Sequence, residues 1–313
     1  MSTPQPPASE NAVVVTGASG FVGRALVRHL HASGRRVVAI SRRTWDAPAG
    51  VQLVTVADYD DVPALAAAIA PASAVVHLAS VAHRSADAAE FTASTRSAQT
   101  MLAAAAARGA RRFILMSSIG VNGNVSRSRP FTEADVPAPA EPYALSKLRA
   151  EEIVRGGPLE HVILRPPLVV GRDAPGNFGR LLRAVRSGVP LPFGAIRNAR
   201  TFLGLDNLLD LLVLCVDHPA AANELLLAGD AEDLSTPELV RHIAQGLGRR
   251  ARLFPLPASL LRLIAAGAGK ARLAESLCGS LQVDASRARQ LLGWAPRLPA
   301  AAGVRLAAAQ SRR

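Results

Sequence analysis

Residues 11–32 read NAVVVTGASGFVGRALVRHLHA: an unbroken apolar run, a turn rich in glycine, then a helical pattern. Gly17, Gly20 and Gly23 fall between run and helix, with Ser19, Phe21 and Val22 in the same turn. One glycine permits a tight turn, one lets a backbone approach a pyrophosphate at the helix N-terminus, and one lets helix and strand pack closely. Glycines also close ordinary loops, so the flanking pattern decides the reading.

Outward from this turn the alternation continues. RRVVAISR (35–42), VQLVTV (51–56), AVVHLAS (74–80), RRFILMSS (111–118) and HVILRPPLVVG (161–171) read as strands, the last as one piece. VPALAAAIA (62–70), an Ala-rich stretch over about 86–108 and the segment starting EPYALSK at 141 read as helices. Unbroken Val/Ile/Leu strands separated by helices describe a parallel sheet covered on both faces. The expected class is α/β, a Rossmann-type doubly wound parallel sheet of at least six strands over residues 11–170. After Gly171 the alternation breaks, and glycine and proline punctuate GRDAPGNF, SGVPLPFG and LFPLPASLL.

The second strand ends Ile40-Ser41-Arg42-Arg43, where an NAD enzyme of this architecture usually places an acidic residue for the ribose hydroxyls. Ser41, Arg42 and Arg43 could instead hold a 2′-phosphate, so NADP(H) is favoured, with NAD(H) possible if the arginines are merely solvated. Asp58 is a candidate for the adenine amino group or for an ordinary loop cap.

The chain has 313 residues, 49% hydrophobic and 19% charged, enough for a sizeable core. The polar, proline-rich residues 1–10 read as a flexible tail and not as a signal peptide. The longest apolar runs, 208–216 and 260–269, are short or interrupted by charge, so no membrane insertion is expected and the location is expected to be cytoplasmic. Cys215 and Cys278 lie far apart in apolar surroundings and read as core thiols; no metal site is expected. Net charge is +12, yet the arginines are scattered and no nucleic-acid module is visible. Only Lys147 and Lys270 are lysines. Lys147 lies one turn from Tyr143 on a helix face that continues to Ala150 and Val154, so a phenol and an ammonium both turn inward. A lone Tyr-x-x-x-Lys of this kind is more often a half-buried Tyr beside a snorkelling Lys.

TGASGFVG (16–23), HLAS (77–80), SSIGVNG (117–123), YALSK (143–147), RPP (165–167) and RTFLGLDNLLD (200–210) occur in one order over most of the chain. In this the sequence resembles the extended short-chain dehydrogenase/reductase superfamily, in its nucleotide-sugar epimerase/dehydratase branch. The segments 176–210 and 280–296 resemble bacterial reductases of UDP-4-keto-6-deoxy-N-acetylhexosamines, the UDP-N-acetylquinovosamine dehydrogenase group. The resemblance implies a catalytic set of Ser118, Tyr143 and Lys147. Tyr143 would exchange the proton, with Lys147 lowering its pKa and holding the nicotinamide ribose, and Ser118 would hold the reacting oxygen. Cofactor contacts would include Leu78, Ala79, Ser80 and Pro166. A UDP-sugar would meet His83, Asn177, Leu191, Phe193 and, at its diphosphate, Arg200. Dehydratases of the branch carry an acid pair where this chain has Ile119-Gly120, which disfavours dehydration, and Asn122 replaces a tyrosine usual in that motif. The same resemblance implies a smaller, mostly helical substrate domain (171–202 and 231–313), a return of the chain to the first domain near 203–230, and a homodimer. The expected reaction is NAD(P)H-dependent reduction of a 4-keto sugar; the alternatives are a UDP-hexose 4-epimerase with bound NAD and a non-catalytic dinucleotide-binding sensor.

Overall fold

The computed structural model describes residues 12–70, 74–80 and 88–311; the expected tail, 1–10, lies outside them. In chain order the elements are β1 (Val13–Thr16), α1 (Phe21–Ala32), β2 (Val37–Ser41), β3 (Gln52–Thr55), α2 (Val62–Ala67), β4 (Ala74–His77), α3 (Ala88–Ala107), β5 (Arg112–Met116), α4 (Pro142–Arg155), β6 (Glu160–Arg165) and β7 (Leu168–Val170). They continue with α5 (Gly176–Ser187), β8 (Arg200–Gly204), α6 (Leu205–Asp217), β9 (Glu224–Leu227), β10 (Asp233–Leu234), α7 (Thr236–Gly246), α8 (Ala258–Gly267), α9 (Ala271–Cys278), α10 (Ser286–Leu292) and α11 (Ala300–Gln310).

The four residues of β1 are fully buried, as a strand covered on both faces must be. Seven strands pair in parallel in the order β3-β2-β1-β4-β5-β6-β9. The order reverses between β1 and β4, where a doubly wound sheet opens its binding crevice. Register aligns Thr16 with Ile40 and with His77, and His77 with Leu115. The carboxyl ends of these strands therefore share one edge, and the glycine turn, Leu78–Ser80 and Ser117–Ser118 all leave from it. One core lies under α1 and α6, and a second under α2, α3 and α4. A third gathers α5, α7 and α11 around Phe178, Phe202 and Ile243.

HVILRPPLVVG is two strands and not one. Pro166 and Pro167 offer no N–H to a neighbouring strand, so the ladder stops at Arg165. The chain resumes as β7 in a separate sheet, β10-β8-β7, where β7 pairs in parallel with β8. Gly171 then lets the chain pass closely, since a Cβ there would stand 2.9 Å from Leu205 and 3.0 Å from Phe21.

The C-terminus of α6 lacks a glycine cap. The buried Arg112 supplies the donors instead, reaching the carbonyls of Cys215 (3.0 Å) and His218 (2.9 Å) while pairing with Glu160 (2.9 Å). Cys215 and Cys278 are buried free thiols, and burial pushes Cys215 up to about 12. No helix among the described residues is long and apolar enough to cross a membrane.

Candidate active site

The glycine turn is shaped by close approach. Gly17 has φ +65°, and a Cβ on it would stand 2.8 Å from Ala79 N; a Cβ on Gly23 would stand 2.2 Å from Gly17 O. Larger residues at either position would separate β1, α1 and the Leu78–Ser80 segment. Thr16 fastens that segment by accepting from the N–H groups of Leu78 and Ala79, both at 3.2 Å. Helix α1 starts at Gly20 with no side-chain cap, so its first-turn N–H groups and dipole are available to an anion. Ser19, Phe21 and Val22 are half-buried around this turn. The cradle fits a dinucleotide pyrophosphate.

At the end of β2 the candidate side chains divide between surface and interior. Arg42 and Arg43 are exposed beyond β2, but Ser41 is buried and its hydroxyl donates to Arg43 O at 2.7 Å. Asp58 is exposed and accepts from Asp60 N at 2.8 Å, the turn-capping role. The buried residue of that loop is Tyr59, whose hydroxyl accepts from Gly17 N (2.9 Å) and donates to Ile40 O (3.2 Å). Tyr59 was not singled out from the sequence, since nothing in ADYDD shows that the loop folds back onto the glycine turn.

Helix α4 opens with Glu141 as N-cap and Pro142 in its first turn, a position where the missing N–H costs nothing. Lys147, Ala150, Glu151 and Val154 are buried, and Tyr143 is half-buried. The Tyr143 hydroxyl hydrogen-bonds the side chain of Ser118, which also accepts from Gly120 N at 3.1 Å. Lys147 Nζ donates to Met116 O at 2.8 Å and stands 5.9 Å from the centre of the Tyr143 ring. Ser118, Tyr143 and Lys147 thus meet at the carboxyl edge of the sheet. Ser117, the residue before Ser118, turns inward and donates to Glu151.

In the chain alone, burial works against the expected lowering of the Tyr143 pKa. Burial pushes Tyr143 up to about 12, opposed only by the Ser118 hydrogen bond, so the phenol is a firmly protonated acid in the chain alone. Burial pulls Lys147 down to about 8, opposed by the Glu151 carboxylate. Desolvation outweighs the mutual attraction because the ammonium is spent on a backbone carbonyl and not on the phenol.

Beneath Lys147 lies a network the sequence did not announce. Glu151, fully buried, accepts a fork from Arg165 (2.8 and 2.6 Å) and pairs with Arg155 at 3.0 Å. Arg165 also donates to Asn122 at 2.9 Å, and Asn122 donates to Thr132 O at 3.2 Å. The only available signal was spacing: Glu151 is four residues from Lys147, one turn along.

A cleft of about 380 Å³ opens beside Tyr143, lined by Phe91, Glu141, Asn177, Arg180, Lys270 and Arg272 among others. Asn177 is part of this lining. Leu191 and Phe193 lie in the third core and do not line this cleft. Arg200, half-buried, donates to Gly279 O at 2.8 Å and is likewise outside the lining. Pro166 is buried, its carbonyl accepting from Ile119 N at 3.0 Å, and Ser80 shares a hydrogen bond with Ser94 at 2.9 Å. His83 lies outside the described residues. Arg180 and Arg272 were missed because a chain so rich in arginine gives no contrast by which to pick them out, and Lys270, one of two lysines, because nothing near it in sequence ties it to Tyr143.

His77 serves structure. Its Nδ1 is 3.0 Å from Thr16 Oγ1, its ring stacks on Phe113 at 5.7 Å, and burial followed by Lys147 pulls it down to about 3, hence neutral.

Residues 13–229 match the NAD dependent epimerase/dehydratase family. The chain is 36% identical to a UDP-glucose 4-epimerase of Vibrio cholerae over 91% of this chain and 90% of that protein. It is 30% identical to a 2'-dehydrokanamycin reductase of Streptomyces kanamyceticus over 79% of this chain and 69% of that one. In three dimensions it resembles MoeE5, solved with UDP-glucuronic acid and NAD, at a TM-score of 0.78 and 25% identity, covering 96% of this chain and 99% of that one.

Proposed function

Because this chain belongs to the NAD dependent epimerase/dehydratase family and is an enzyme of the extended short-chain dehydrogenase/reductase type, we propose that it reduces the 4-keto group of a UDP-linked 6-deoxy-4-keto-(N-acetyl)hexosamine. The observation that carries this reading is the Tyr143 phenol set beside Ser118 and opening on a cleft with three cations. Hydride addition to a ketone leaves an alkoxide more basic than a phenolate, so the Tyr143 phenol, protonated at neutral pH like any phenol, can supply the proton. Ser118 holds the carbonyl oxygen by its hydroxyl, and Tyr143 delivers the proton to it. Lys147, fixed on Met116 O, keeps a positive charge behind the phenol as negative charge grows there. Arg180, Lys270 and Arg272 grip the diphosphate, and Asn177 contacts the nucleotide portion.

The cradle from Gly17 to Gly23, with Leu78 and Ala79 behind it and Pro166 nearby, would hold a nicotinamide dinucleotide, which when bound supplies the hydride. Arg42 and Arg43, with no carboxylate at the end of β2, favour NADPH over NADH. A homodimer through α3 and α4 belongs to the same proposal, and sedimentation at the mass of one chain would remove it.

Adding the 4-keto sugar nucleotide to the purified enzyme with NADPH should oxidise one equivalent per sugar reduced. Absence of oxidation across several such ketones would end the reading. The Vibrio cholerae relative supports a second one, a UDP-hexose 4-epimerase. Interconversion of UDP-hexoses at C4 without net consumption of NADPH would favour it.

A further inference from the structure

Helix α8 runs SLLRLIAAG over residues 259–267, and none of its residues is buried. Ala258 and Leu261 lean on the third core, while Leu260, Leu263 (70% exposed) and Ile264 (55% exposed) share the opposite face in solvent. Phe254 before the helix and Leu273 after it are also exposed. Between residues 258 and 278 the chain carries Arg262, Lys270 and Arg272 against one carboxylate, Glu275, while the preceding Arg249 and Arg252 donate to Arg186 O and Gly188 O. Helix α9 packs on α8, and the turn and helix that follow α8 supply Gly269, Lys270, Arg272 and Leu273 to the wall of the cleft beside Tyr143. An apolar face edged by cations therefore borders the mouth of the active site.

We propose that the α8–α9 hairpin seats this mouth on the surface of an anionic lipid bilayer, with Leu260, Leu263 and Ile264 entering the headgroup boundary and Arg262 meeting lipid phosphates. Helices that lie in a membrane interface combine one apolar face with a basic edge in this way. The charge argues against the simplest other occupant. A second copy docked face to face would oppose two excesses of positive charge, whereas an anionic surface neutralises one. The inference does not depend on which sugar is reduced, or on reduction at all.

The test is flotation of the full-length protein with phosphatidylcholine vesicles, with and without about 30 mol% phosphatidylglycerol. Anionic vesicles should bind about tenfold or more tightly than neutral ones, and raised salt should remove most of the difference. The exposed pair Leu263→Asp with Ile264→Asp should keep the melting temperature and NADPH binding while losing about tenfold or more of vesicle binding. Arg262→Glu, the independent variant, should lose several-fold on anionic vesicles only. Failure to float with anionic vesicles overturns the proposal, as does equal flotation with neutral ones. Undiminished binding by the aspartate pair overturns it too. So does a lipid-free dimer that the aspartate pair dissolves, which would make the patch a contact between copies.

Discussion

Helices α4 and α8 invert the usual relation between sequence and burial. The first, PYALSKLRAEEIVR, carries two acidic and three basic residues and buries Ser146, Lys147 and Glu151; the second, ASLLRLIAAG, carries one charge and buries nothing. Hydrophobicity alone would sort them the other way. Helix α4 bears the buried charges because each has a fixed partner: Lys147 has Met116 O, Glu151 has Arg165, Arg155 and Ser117. A buried charge so satisfied holds neighbours in register at a cost in desolvation, and it is retained where geometry matters. Helix α8 shows its leucines because the third core is already filled by α5, α7 and α11.

The contrast would break first at Tyr143. Tyr143→Phe should cut kcat by about a thousandfold with the melting temperature unchanged, because only the proton donor is lost. Stopped-flow or steady-state NADPH oxidation measures it, and retained turnover would refute an acid at this position. Next is Glu151→Ala, which strands Arg165 without its carboxylate and should destabilise by about 3 kcal/mol in denaturant unfolding. Gly23→Ala should cost about 2 kcal/mol and weaken dinucleotide binding, since its Cβ would stand 2.2 Å from Gly17 O.

The pH dependence sharpens the same comparison. Lys147 titrates at about 8 in the folded chain against 10.5 in the open one. Between those values the unfolded chain binds more protons, so this group makes stability rise with pH. Tyr143, at about 12 against 10.0, acts in the opposite sense: between those values the folded chain holds the extra proton and stability falls as pH rises. The rate of reduction should decline as pH passes through about 8 and Lys147 loses its charge, and Glu151→Gln should move that decline to lower pH. A pH profile of kcat/KM reads both. The smallest effect is expected on α8, where Leu263→Ser should change unfolding free energy by less than about 0.5 kcal/mol.

Much of this was open to reading in one dimension because the chemistry is local. The turn TGASGFVG, the strand-helix alternation and the one-turn spacing of Tyr143 and Lys147 all depend on residues within a few positions of one another, so periodicity and glycine placement expose them. Loss of the strand at Pro166-Pro167 was equally local and could have been taken from the missing N–H groups. The Ser118–Tyr143 contact was reached through family resemblance, since the two residues are 25 positions apart and nothing in their spacing joins them.

The amino-acid sequence by itself determined a doubly wound sheet with a phosphate-sized turn and a phenol–ammonium pair on one helix face. Tertiary structure alone decided which ionisable groups lost their water and against what. That is why the Tyr143 phenol is held above its ordinary pKa, why Ser41 is turned inward, and why Glu151 and Arg165 sit together beneath Lys147. It also placed Arg180, Lys270 and Arg272 around the cleft, and not the core residues Leu191 and Phe193. Burial and partnership are sums over distant segments, and desolvation energies depend on those sums, which no local pattern carries.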